Sequence, residues 1–157
     1  MLLEGLVMHT KRIHTASPTE TEAIGAALAT ELLENETLPR YVALYGDLGV
    51  GKTAFVRGVV SVLAPGAAVR SPTFALVHEY RGKLPLFHFD MYRITDEDDL
   101  YSIGYDDYLL RGGVILVEWS ENVPYALPDA YLRVSIRKDA PETPDSREIT
   151  IEEVGVC

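Results

Sequence analysis

The sequence predicts an α/β sandwich of three layers built on a small mixed sheet, and three observations carry that expectation. Two short runs, Tyr41 to Tyr45 and Val114 to Val117, are apolar throughout, as in strands covered on both faces. Segments with helical spacing accompany them. The stretch 75–92 reads as a hairpin and the tail alternates polar with apolar residues, a pattern a wholly parallel sheet would not produce.

Taken in order, the opening MLLEGLVMHTKR reads as a first strand. It lacks the positively charged start and the small-residue cleavage site of a signal peptide. Ser17-Pro18-Thr19-Glu20 starts a helix, with a hydroxyl cap, proline at the first helical position and glutamate placed for a capping box. Ile24, Ala27, Leu28 and Leu32 carry the helix to about Glu34. After the strand Tyr41–Tyr45, residues from Lys52 to Leu63 are apolar almost all round, which predicts a buried helix. ALVHEY and PLFHFDMY flank the expected turn Arg81-Gly82-Lys83. In the second of these strands Phe87, Phe89 and Met91 share one face, and His88, Asp90 and Tyr92 the other. Thr95 is expected to cap the short acidic helix DEDDLYSI, and Val114–Val117 ends at Glu118. YLRVSIR and REITIE are expected to be half-solvated antiparallel strands near an edge.

A chain of 157 residues that is 47% hydrophobic suits one domain spanning 1–157. No apolar run is long enough to cross a bilayer. The one cysteine, Cys157, can close no internal disulfide, so a reducing, cytoplasmic setting is expected. The net charge of −10 repels a nucleic-acid backbone, and the arginines are scattered along the chain. Any nucleic acid in this protein's pathway is expected to be held by another molecule.

The chemistry concentrates at LYGDLGVGKTAF, where one of only four lysines stands between glycines and a hydroxyl. Gly46-x-x-x-x-Gly51-Lys52-Thr53 is a P-loop pattern, placed between a buried strand and a helix as the mechanism requires. The backbone of Gly46, Asp47, Leu48, Gly49, Val50, Gly51, Lys52 and Thr53 would turn its N–H groups around a phosphate. Lys52 would reach the β- and γ-phosphates and Thr53 would offer its hydroxyl to Mg²⁺. The fold class expected is therefore P-loop NTPase-like.

A P-loop needs a carboxylate for its metal, and Glu118, after VILV, fits that place; a surface glutamate at a strand end is the plainer alternative. Asp90 could orient the attacking water or hold the metal through water, or be a structural partner of Arg93 or of a backbone amide. Ser71-Pro72-Thr73-Phe74 could sense the γ-phosphate through Thr73, or be a plain turn. Trp119 is either a core indole or a neighbour of the nucleotide. The histidines lack metal-ligand spacing, and the run Asp96–Asp99 reads first as a helix start, second as a docking patch for a basic partner.

GDLGVGKTAFVRG, SPTFALVHEY, FHFDMYR, IGYDDYL and LVEWSENV followed by LP, in this order over residues 17–138, resemble the bacterial ATPase family of tRNA threonylcarbamoyladenosine biosynthesis, TsaE. The resemblance implies ATP and Mg²⁺ as ligands and an ATPase that is weak alone and stimulated by partners. Those partners would be a TsaD-like threonylcarbamoyl transferase and its TsaB-like paralogue, with tRNA reached only through that complex. It places the nucleotide loop on Gly46 to Thr53, the Mg²⁺ ligands on Thr53 and Glu118, and the functional aspartate on Asp90. It also brings Ser17 and Pro18 toward the base. Two departures stand out: Ala54 replaces a frequent threonine, and Val50 replaces a small residue between glycines. Two rivals are a small-molecule kinase, for which no arginine-rich lid is legible, and a non-hydrolysing nucleotide-dependent binding module. A GTPase lacks its Asn-Lys-x-Asp motif here.

Overall fold

Alternation along the strands decides how the layers form. The computed structural model describes residues 6–47, 49–69 and 76–155. In it, Val42 and Leu44 point to one side with Leu86, Leu116 and Val134, where the first two helices supply Leu28, Leu32, Phe55 and Val59. Tyr41 and Ala43 point to the other side with Phe87, Phe89, Ile115 and Val117, where Leu100 and Tyr105 cover them. The result is helices, sheet, helices: the three layers expected.

The elements run β1 (Leu6–Thr15), α1 (Pro18–Glu34), β2 (Tyr41–Tyr45), α2 (Lys52–Leu63), β3 (Val77–Tyr80) and β4 (Leu86–Asp90). They continue with α3 (Glu97–Ser102), α4 (Tyr105–Leu110), β5 (Val114–Glu118), two 3-10 turns at Ser120–Asn122 and Pro124–Ala126, β6 (Tyr131–Ala140) and β7 (Thr143–Gly155). Seven strands lie in the order β1-β7-β6-β2-β5-β4-β3. The middle four, β6, β2, β5 and β4, are mutually parallel. β3 on one flank and β7 with β1 on the other are antiparallel additions. The sheet is therefore mixed; its edges are β1 and β3, and the alternating tail strands β6 and β7 pair antiparallel next to the β1 edge, as expected.

Ser17 caps α1 as expected, its Oγ accepting from Glu20 N at 3.2 Å. The Glu20 carboxylate reaches back to Ala16 N, one residue before the position a capping box prescribes. The acidic helix α3 departs in a related way. Asp96, not Thr95, is its cap and accepts from Asp99 N at 2.8 Å, while Asp99 Oδ2 accepts from both Thr95 N and Thr95 Oγ1. A carboxylate at the cap outcompetes the hydroxyl one residue earlier because it also meets the helix dipole with a full charge. α1 and α2 cross closely: a Cβ at Gly58 would lie 1.9 Å from Glu22 O, which only glycine allows.

β6 pairs with β2 only as far as Tyr45 opposite Ser135. The β6–β7 ladder continues to Ala140 opposite Thr143, and β1 accompanies it to Thr15 opposite Arg147. These strands thus overhang the C-terminal end of β2, where α1 and α2 both begin. The rung is tied by side chains: Arg137 Nη2 pairs with Glu148 Oε1 at 2.6 Å, and His14 Nδ1 hydrogen-bonds Asp139 Oδ2 at 3.0 Å. The overhang exceeds the YLRVSIR and REITIE segments because exposed alternation looks the same in strand and loop.

Candidate phosphate-binding site

The site begins where β2 stops. Gly46 has φ of 154°, and a Cβ there would sit 2.7 Å from Ile136 O of the overhanging β6. Gly51, with φ of 110°, is the N-cap of α2 and gives it no side-chain cap. The first helical bond is Phe55 N to Gly51 O at 3.2 Å. The N–H groups of Lys52, Thr53 and Ala54 therefore form the uncapped donor end of the helix, where its dipole favours an anion.

Lys52 is 6% exposed. Its Nζ donates to Gly46 O at 2.8 Å and lies 4.2 Å from the ring centre of Trp119. A lysine seated inside its own glycine turn, with an aromatic face beneath it, is a positive charge aimed at the space the loop encloses. Trp119 is half-buried, packs on the Tyr41–Phe89 core as its first alternative expected, and also presents its face to Lys52. Its φ of 60° is left-handed, an uncommon backbone for a non-glycine residue and one that turns the indole off the end of β5.

The carboxylates follow from strand period. Leu86 of β4 and Leu116 of β5 face α2, so Asp90 and Glu118 continue those faces at the C-terminal ends. They are register neighbours across the parallel pair. Buried His88 donates from Nε2 to Glu118 Oε2 at 2.6 Å, and its Nδ1 finds no partner among the described residues. Asp90 Oδ1 accepts from Tyr92 N at 2.9 Å, the backbone-amide partner foreseen as its structural role. Tyr92 itself departs from expectation. β4 ends at Asp90, and Tyr92 turns outward to pack its ring at a tilt against Trp119, with centroids 5.0 Å apart.

Thr53 is exposed on the first turn of α2. Asp90 and Glu118 are hard oxygen donors on adjacent strands, the donor chemistry Mg²⁺ takes, and the uncapped helix end suits phosphate. Ser17 and Pro18 start α1 on the flank of the loop. Thr21, one turn on, would lie 4.0 Å from a Cβ at Gly51, while Ser17 Oγ is already engaged as the cap. Leu48, Thr73 and the rest of Ser71-Pro72-Thr73-Phe74 lie outside the described residues.

Sequence reasoning missed Arg147. From β7 its Nε donates to Val50 O at 2.6 Å, and its Nη1 to Pro144 O and Ser146 O. A β7 side chain thus clamps the tip of the glycine loop. Nothing local in REITIE signals it, because the contact spans 97 positions.

The family description of TsaE, threonylcarbamoyl adenosine biosynthesis protein, matches residues 15–149. The TsaE protein of Bacillus subtilis strain 168 is 39% identical over 142 residues, 90% of this chain and 84% of that protein. That of Treponema pallidum strain Nichols is 38% identical over 110 residues, 70% of this chain and 79% of that protein. The crystal structure of YdiB from Bacillus subtilis superposes with a TM-score of 0.74 at 34% identity, covering 96% of this chain and 88% of that one.

Proposed function

This chain belongs to the TsaE family, and from that premise we propose that it is an ATP-binding, slowly ATP-hydrolysing subunit needed for threonylcarbamoyladenosine modification of tRNA. It acts through a TsaD-like threonylcarbamoyl transferase and a TsaB-like paralogue, which hold the tRNA. The observation that carries the reading is Lys52, buried in the glycine turn against Gly46 O and Trp119, with Asp90 and Glu118 side by side on the face of α2.

In this reading the N–H groups from Gly49 to Thr53 hold phosphate oxygens, and Lys52 exchanges its bond to Gly46 O for the β- and γ-phosphates. Thr53 and Glu118 are the residues that would hold Mg²⁺, which when bound neutralises charge building on the transferred phosphoryl group. His88 fixes the Glu118 carboxylate by its short hydrogen bond. Asp90, its Oδ1 held by Tyr92 N, keeps Oδ2 to orient a water. The acidic chain leaves tRNA to its partners, as the net charge of −10 supports.

The test is Lys52→Ala, assayed for ATP and GTP hydrolysis alone and with the purified partner proteins, and for multi-turnover tRNA modification. ATP hydrolysis and turnover should fall about 100-fold or more. Unchanged turnover overturns the proposal, and equal use of GTP overturns the adenine assignment. Retained turnover in Asp90→Asn without hydrolysis would favour the binding-module reading.

A further inference from the structure

We propose that the α3–α4 face is the docking surface for a basic segment of a partner protein, one that also carries a bulky apolar side chain. Among the described residues, the large hydrophobic side chains that stand exposed are Tyr92, Tyr101, Leu109, Leu110 and Tyr125, all within one stretch of the chain. Tyr101 is 76% and Leu110 85% exposed, on two adjacent short helices. Between these helices and the turn Pro124–Ala126 runs a groove of about 490 Å³, with Leu100, Tyr105 and Leu127 in its wall. It has room for several side chains.

Charge selects the occupant. Residues 94–110 hold six acids, Asp96 to Asp99 with Asp106 and Asp107, and no lysine or arginine. Asp96 and Asp99 are used in capping α3. Glu97, Asp98 and Asp106 line the groove, and none of them takes part in an ion pair among the described residues. On the rim, partial burial and then the charges of Asp96, Glu97 and Asp99 push the Tyr125 phenol up. Such a surface repels a nucleic-acid backbone and an anionic membrane. A second copy in a two-fold dimer would set acid against acid. A basic protein segment is complementary in both charge and apolar content.

Chain continuity links the surface to the candidate phosphate site. Tyr92 opens the loop that leads to α3, is held by Asn122 Nδ2 at its carbonyl, and packs at a tilt against Trp119, over which Lys52 lies. The inference rests on the functional reading in one respect, that a protein partner exists.

The experiment titrates the full chain into the purified transferase–paralogue complex by calorimetry at low and high salt. The neutralised variant Glu97→Gln/Asp98→Asn/Asp106→Asn and the apolar variant Tyr101→Ser/Leu110→Ser are compared with wild type. Circular dichroism and binding of a fluorescent ATP analogue check that both remain folded. Each variant should bind the complex about tenfold more weakly with nucleotide binding unchanged, and salt should weaken wild type more than the neutralised variant. Wild-type binding that survives in both variants overturns the surface alone. No binding by wild type overturns the partner reading together with the surface. A wild-type dimer in sedimentation that both variants abolish makes the occupant a second copy and also overturns the proposal.

Discussion

On the α1–α2 side of the sheet, the strands end in carboxylates, a glycine turn and a buried lysine. On the α3–α4 side, Tyr41 at the start of β2 and Phe89 in β4 meet hydroxyl and aromatic groups that satisfy one another. Tyr41 and Tyr105 meet at 2.7 Å, and Tyr105 O–H donates to Ala126 O at 2.9 Å. Phe89 stands edge-on to Tyr105 and Tyr108. Both sides have apolar cores drawn from alternate residues of the same strands, so packing does not distinguish them. Polar groups held by one partner, with bonding capacity to spare, do. Among the described residues, Glu118 and Asp90 each have one oxygen bonded, to His88 and to Tyr92 N, whereas the tyrosine chain is closed by a backbone carbonyl.

The contrast is broken most severely at Gly58. Both helices of the phosphate side must approach within backbone contact there, so Gly58→Val should cost about 3 kcal/mol or more in urea unfolding. A loss below about 1 kcal/mol would mean that α1 can shift, and with it the flank of the loop. Next is Arg147→Ala, which frees Val50 O at the loop tip. ATP-analogue binding should weaken by about 2 kcal/mol, the worth of a charged hydrogen bond, with melting changed little. Equal losses in binding and melting would make Arg147 a general brace of β7 rather than a clamp on the loop.

The tyrosine chain sharpens the comparison from the other side. Burial raises both phenols, Tyr41 strongly and Tyr105 to about 12. Their folded values lie above the unfolded value near 10, so the unfolded chain releases protons first. The stability they protect is fully present below about pH 10 and is lost as pH climbs from there through 12. Tyr105→Phe should cost about 1.5 kcal/mol at neutral pH, because Ala126 O and Tyr41 lose their partner. It should also flatten the alkaline fall in melting temperature. ATP-analogue binding should be unaffected, since the chain lies on the far side of the sheet.

Much of the α1–α2 side, the candidate phosphate site included, was legible as a pattern because its signals are local. Gly46 to Thr53 needs only spacing, and Glu118 needs only its position after four apolar residues. What stayed hidden is non-local. His88 meets Glu118 across two neighbouring strands, and Arg147 meets Val50 across an overhang that no single segment encodes. The cap of α3 was misread because Thr95 and Asp96 are both good caps, and side-chain charge decided between them. On the opposite side the aromatic spacing gave no warning that Tyr101 and Leu110 would face outward, since short helices carry too few turns to establish a period.

The smallest expected effect tests the one residue on which a structural and a ligand role compete. Ser17 Oγ caps α1 by accepting from Glu20 N, and α1 starts beside Gly51. If the cap is its whole role, Ser17→Ala should cost about 1 kcal/mol in unfolding, and Ser17→Asp should recover it, because either oxygen accepts the same N–H. Both variants should then bind the ATP analogue like wild type. A loss of nucleotide affinity in Ser17→Asp, with stability restored, would instead place this hydroxyl at the ligand, since a carboxylate keeps the cap but adds a negative charge beside a phosphate.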